Sequence, residues 1–244
     1  MNPRITLATA ARILRQLRGD PRTIALMLVV PCVLLGILAW IYADSPTPVF
    51  DQIGAALLGI FPVNVMFVVT SVATLRERTS GTLERLLTTP LGKGDLMVGY
   101  ALAFGAMAVL QAVVATTFAV WVCGLSVAGP LWVLVFFAVL NALLGTALGL
   151  LASGFARTEF QAVQFMPAFL FPQFLLCGLL IPRDQMPRVL ELVSDVLPLS
   201  YVVDAMNEIT ASSAPAVWAK AGIICGFVVV SLLLGSLTLR RRTP

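Results

Sequence analysis

The 244-residue chain contains no histidine. That absence excludes imidazole general-base catalysis and histidine metal ligation. Charge is scarce as well: Asp, Glu, Lys and Arg make up 11% of the residues, against roughly 25% in an ordinary soluble domain. A soluble fold of this length needs a charged surface that these residues cannot supply. The four cysteines (Cys32, Cys123, Cys177 and Cys225) show no C-x-x-C spacing, and each falls within or at the end of an apolar run. They read as small buried hydrophobes rather than as a metal or redox site. No phosphate loop of the form G-x-x-x-x-G-K-S/T is present, since "GKGD" at 92–95 has the wrong spacing and order. The first 22 residues hold five arginines and no apolar run, so no cleaved leader is expected.

What remains is mostly oil. Hydrophobic residues are 59% of the chain, and the mean hydropathy is +0.96. A helix needs about 20 apolar residues to cross a bilayer, and six runs serve: 24–43, 53–75, 96–124, 131–156, 161–182 and 216–239. Pro31 kinks the first and Pro167 and Pro172 interrupt the fifth, as lipid-embedded helices tolerate. The third and fourth exceed one crossing, so they tilt or project into water. The fold class is an all-α integral membrane protein with six transmembrane helices. With six crossings, thirteen of the sixteen Lys and Arg residues fall on one side, in the tail, the segment 76–95, Arg157 and the C-terminal arginines. Arg183, Arg188 and Lys220 fall on the other. Both termini are therefore expected on the cytoplasmic side.

Two segments outside the spans carry pattern. In residues 1–22, Thr6, Leu7, Ala10, Ile13, Leu14 and Leu17 gather on one helical arc, with Arg4, Arg12, Arg15, Arg18 and Arg22 beside it. That is an amphipathic helix in the membrane interface, its arginines toward lipid headgroups; a plain topology signal accounts for the same residues. The segment "LRERTSGTLERLLTTPLGKGDL", 75–96, concentrates seven of the chain's 28 charges. Gly81 and Pro90 bound "TLERLL", where Leu83, Leu86 and Leu87 stand at i, i+3, i+4 beside Glu84 and Arg85. A two-turn helix is marginal alone in water. It persists when it packs on its own bundle or on a partner groove, and both remain open.

These residues resemble the permease subunits of type-2 exporters of the ATP-binding-cassette class. The family pattern Glu-x-x-x-Gly-Thr-x-Glu-x-Leu-x-x-x-Pro is matched in register by Glu77, Gly81, Thr82, Glu84, Leu86 and Pro90. A second stretch, "CGLLIPRDQMPRVLELVSDVLPLSYVVDAM", is similar to the family's later motif through Gly178, Pro182, Met186, Pro187, Pro198, Leu199, Tyr201 and Asp204, with Asn207 about where the family often has Arg. The resemblance implies one transmembrane domain over 1–244. Its 76–95 loop, with Leu83, Arg85 and Leu87 among its contacts, would be a coupling helix docking on a separate ATPase subunit. Residues 183–215 would form re-entrant or loop segments on the outer face. It further implies no catalytic residue, metal or cofactor on this chain, with ATP and Mg on the partner. The other expected partners are a second permease copy or a related permease, and membrane lipid; nucleic acid is not expected. The location would be a bacterial plasma (inner) membrane, a source to which fourteen arginines against two lysines also point.

Every carboxylate lies at a membrane face or in a loop, which disfavours a proton-coupled carrier and leaves the energy to an outside source. An aromatic, weakly polar path of Phe61, Asn64 and Phe67 with Gln164, Phe165, Phe169, Phe171 and Phe174 fits a hydrophobic or amphiphilic cargo, a drug or a lipid. A polysaccharide or glycolipid exporter of the same family, or an ATP-independent secondary carrier, are the alternatives. "GTALG" at 145–149 lets helices approach closely.

Overall fold

The computed structural model describes residues 3–45, 49–80 and 92–238, and among them every regular element is a helix. The order is α1 (Pro3–Arg18), α2 (Pro21–Ile41), α3 (Val49–Thr79), α4 (Lys93–Trp121), α5 (Leu131–Ser153), α6 (Glu159–Leu176), α7 (Arg188–Val196), α8 (Pro198–Ala211) and α9 (Trp218–Thr238). A 3₁₀ turn, Arg183–Gln185, precedes α7.

Local chemistry sets the helix starts. Asp20 caps α2: its carboxylate accepts from Thr23 N at 3.2 Å and Thr23 Oγ1 at 2.7 Å, and Pro21 takes the first helical position. Those bonds also hold the Asp20 carboxyl below its usual pKa. Thr158 caps α6 by accepting from Gln161 N at 3.2 Å, and Pro198 opens α8.

Helix α3 is the hub, packing most extensively on α5 and then on α8, α2, α6 and α4. Glycine explains the closest of these contacts. A Cβ on Gly145 would lie 2.3 Å from the Val63 carbonyl oxygen, and one on Gly149 would lie 2.5 Å from that of Phe67. The "GTALG" pair thus brings the α5 backbone onto the α3 backbone, the role expected of small residues at that spacing. Around this seam Leu58, Phe67, Leu134, Phe137 and Leu144 form the dry centre.

Among the described residues, five helices are long and apolar enough to cross a membrane: Pro21–Ile41, Val49–Thr79, Gly94–Trp121, Leu131–Ser153 and Trp218–Leu237. The expected crossing at 161–182 corresponds to α6, which stops at Leu176 and whose 18 residues include Glu159, three glutamines and two prolines. The expected 183–215 region holds the 3₁₀ turn, α7 and α8. α8 is deeply buried, with Leu199, Val202, Val203 and Met206 inside the core. Its last turn also anchors the α4–α5 connection, through Ala128 N to Thr210 O at 3.0 Å and Gly129 N to Ile209 O at 2.9 Å.

The tail is more deeply engaged than an interfacial helix. α1 packs on α4 through Thr6, Thr9, Ala10, Ile13 and Leu17, whereas Leu7 is 62% exposed. A Cβ on Gly99 would be 2.8 Å from Thr9, so α4 receives α1 at close range. The apolar arc expected to enter lipid is largely spent on protein.

Candidate functional site

The first motif residue, at the end of α3, decides the local arrangement. Glu77 stands on the last turn of α3 and is 4% exposed. A carboxylate removed from water needs charge and hydrogen bonds to compensate. Arg12 of α1 supplies both in a fork: Nη1 donates to Oε1 at 3.1 Å and Nη2 to Oε2 at 2.8 Å. The Tyr100 hydroxyl of α4 donates to the same carboxylate. Burial opposes the charge on Arg12, the Glu77 carboxylate more than restores it, and the guanidinium pKa ends up raised. Nearby, Asp95 is also buried and accepts from Thr6 Oγ1 at 3.2 Å.

The residue before Glu77 points elsewhere. One step along a helix is 100°, and Arg76 faces α6, where Nε and Nη2 donate to the two oxygens of Glu159 at 2.8 and 2.9 Å. That hydrogen-bonded pair lowers the Glu159 pKa. Arg78 donates to the Ser153 carbonyl at the end of α5. Three consecutive side chains thus tie the end of α3 to α1 and α4, to α6, and to α5. All of this lies directly before residue 81.

Gly81, Thr82, Leu83, Glu84, Arg85, Leu86, Leu87 and Pro90 lie outside the described residues. Glu77, expected at the docking site, lies within the described residues, and its side chain is buried inside the bundle.

Arg76 also lines a groove of about 650 Å³ between α2, α3 and α6. Its shaft is apolar, walled by Leu26, Val30 and Leu34 of α2, Ile60, Val65 and Val68 of α3, and Met166 and Leu170 of α6. Gln16, Asp20, Thr23 and Arg76 make its α1 end polar, and Asn64 is a further polar group along the shaft. Of the expected path, Phe61, Asn64, Phe171 and Phe174 line this groove. Phe67 does not, being 1% exposed within the α3–α5 core. Phe165 packs against the core, while Gln164 and Phe169 are exposed and off the groove. The reason is angular: Met166, Leu170 and Phe174 repeat at four residues and share a face that 164, 165 and 169 do not. The α2 wall went unnoticed because its residues are uniformly aliphatic and carry no distinguishing pattern.

Four amides in the long helices bond within their own helix or not at all. Asn64 and Gln173 donate to carbonyls of their own helices, Ile60 at 3.1 Å and Phe169 at 3.0 Å. Gln111 and Asn141 are fully buried, and neither atom of either amide has a hydrogen-bond partner. Among the later motif residues, Gly178 adopts φ +87, a left-handed turn that favours glycine. Tyr201 and Asp204 of α8 meet Arg183, whose Nη1 donates to Asp204 Oδ2 at 2.6 Å, while Pro182 precedes the 3₁₀ turn and Pro187 precedes α7. Arg183 was not singled out from the sequence, although one basic residue amid acidic neighbours was visible there. Among the described residues no cluster of His, Cys, Asp and Glu could hold a metal ion.

A helical membrane bundle with a charged, interlocked end beside an apolar groove is the architecture of a permease-type chain. The chain belongs to the ABC-2 type transporter family, whose profile matches residues 4–210. It is similar to the probable multidrug ABC transporter permease YbhR of Escherichia coli K12, 29% identical over 154 residues, 63% of this chain and 42% of that one. It is also similar to the linearmycin resistance permease protein LnrN of Bacillus subtilis, 25% identical over 168 residues, 68% of this chain and 43% of that one. Nodulation protein J of Rhizobium leguminosarum is 25% identical over 172 residues, 68% of this chain and 64% of that one. The chain spans less than half the length of YbhR and LnrN.

Proposed function

We propose that this chain is the membrane subunit of an ATP-driven exporter that moves a hydrophobic or amphiphilic cargo, drug or lipid-like, out of a bacterial cytoplasm. Multidrug and linearmycin-resistance permeases among its relatives support that cargo class. On this reading the chain crosses the plasma membrane six times, α6 included, with both termini cytoplasmic and the segment between α6 and α9 re-entering from the outer face. A separate ATPase subunit binds ATP and Mg and docks on residues 76–95, and a second permease copy, or a related permease, completes the path.

One observation carries the reading. Arg76 and Glu77 are consecutive, yet Arg76 lines the groove and Glu77 is fastened to α1 and α4. Movement of the loop that follows them would therefore reach the groove and the tail together. Alternating access driven from that loop needs such a mechanical connection.

The test is a mild-detergent pull-down from the native cells, with ATP hydrolysis assayed on the eluate and Leu86→Asp run in parallel. A co-purifying protein with a phosphate loop, lost in the variant, is the expected result. A chain that inserts normally, transports in the presence of Leu86→Asp and recruits no ATPase would overturn it.

A further inference from the structure

At the end of the bundle far from α1, Arg183 joins three segments. It reaches Asp204 of α8 at 2.6 Å and the Asp195 carboxylate of α7, and its guanidinium lies 5.9 Å from the centre of the Tyr201 ring. Tyr201 donates its hydroxyl to the Asp195 carbonyl at 2.7 Å. Ser194 donates to the Leu176 carbonyl at 2.8 Å and shares a hydrogen bond with Ser200, also at 2.8 Å. The end of α6, the short α7 and the start of α8 are fastened by polar bonds.

Apolar packing does little for α7. Of its nine residues only Ser194 is buried, whereas Val189 and Val196 are 71% exposed, Leu192 51% and Val193 44%. Ser194 and Glu191 turn toward the protein, whereas Val189, Leu192 and Val196 turn outward. A surface helix in water has the reverse arrangement. Leu180 and Ile181, which precede α7, and Leu175 of α6 are likewise exposed, at 60%, 52% and 56%. Hydrocarbon solvates these outward apolar side chains, as it does the apolar face of a helix lying in the membrane interface.

We propose that α7 is a flap whose outer face is solvated by lipid acyl chains, and that the Arg183 clasp, not packing, holds it against α8. Arg183 is then a positioning residue: its release of Asp195 frees α7 while α8 stays in the core. Opening is local because α8 has its own buried anchorage in Leu199, Val202 and Met206. This inference stands independently of any ATPase partner.

The experiment is amide hydrogen exchange on the full chain in phospholipid nanodiscs. Asp195→Asn removes the α7 arm of the clasp and leaves Arg183 on Asp204; Arg183→Gln removes both arms. Exchange over 188–196 is expected to accelerate by up to about fivefold in each, the scale of an ion pair whose Asp195 side is about half exposed, with 198–211 unchanged. Arg188→Gln, which loses an exposed pair with Glu191, should leave 188–196 unchanged. No acceleration in either variant, or acceleration of 198–211 in step with 188–196, overturns the clasp. The occupant is read with an environment-sensitive fluorophore at Leu192→Cys in a cysteine-free background. Emission quenched by doxyl-labelled phosphatidylcholine is expected; water-like emission, or apolar emission that lipid does not quench, as against a second copy, overturns the lipid assignment.

Discussion

Arg12 and Glu77 are 65 residues apart in sequence and meet in a two-point ion pair, with contacts of 3.1 and 2.8 Å. Glu77 belongs to the loop motif by sequence but to the interior by position. The pair makes the tail helix part of the machinery at the end of α3, and Tyr100 adds α4 to the same joint. Breaking a buried pair by removing one partner costs about 3–5 kcal/mol, because the other charge is left uncompensated. Arg12→Gln and Glu77→Gln should each lower the thermal midpoint in detergent, and the double variant should lose less than the two losses combined. Strict additivity would mean that the pair is not an energetic unit.

The α3–α5 seam predicts a sharp positional contrast. Gly145→Ala places a methyl 2.3 Å from a backbone oxygen that cannot move alone, so the yield of monodisperse protein should fall strongly. Gly222→Ala meets nothing within 4 Å and should be neutral or stabilising by up to about 1 kcal/mol through helix propensity. Size-exclusion yield of the two variants, purified side by side, checks this.

Gln111 offers the opposite test. A buried amide without partners costs roughly 1–3 kcal/mol, and both of its polar atoms are in that state. Gln111→Leu should therefore raise the thermal midpoint. A fall would show that the amide is satisfied in the assembled protein.

Acid should loosen the α3–α6 joint. The Arg76 guanidinium holds the Glu159 pKa below its ordinary value, so the pair stabilises the fold above the unfolded carboxylate range, near pH 4.3. That contribution is lost as pH falls through the depressed folded value. The midpoint difference between wild type and Glu159→Gln should be present at pH 7, persist to about pH 5 and shrink below about pH 4. It should be small throughout, since both side chains are about half exposed.

The groove can be filled. Val68→Trp adds bulk to the middle of the shaft and leaves Arg76 and Glu77 in place. Fluorescence of the apolar probe N-phenyl-1-naphthylamine, enhanced on binding wild type in nanodiscs, should drop in the variant, while the thermal midpoint stays close to wild type. Unchanged enhancement would place the probe outside the groove.

The sequence by itself determined the membrane class, the apolar runs and their neighbours, and the motif that marks the α3 end. Those follow from composition and short-range pattern: a run of aliphatic residues has no stable alternative to helix in lipid, and Asp20–Pro21 or Thr158 start a helix wherever the chain goes. "GTALG" likewise announced a close approach, without saying to which helix. Only tertiary structure decided partners. Arg12 on Glu77, Arg76 on Glu159 and Arg183 on Asp204 pair residues 65, 83 and 21 positions apart, and nothing local distinguishes those arginines from others. Tertiary structure also sorted the aromatic residues, sending Phe67 to the core and Phe171 to the groove, because which face of α3 or α6 is covered depends on the neighbouring helix and not on the face itself.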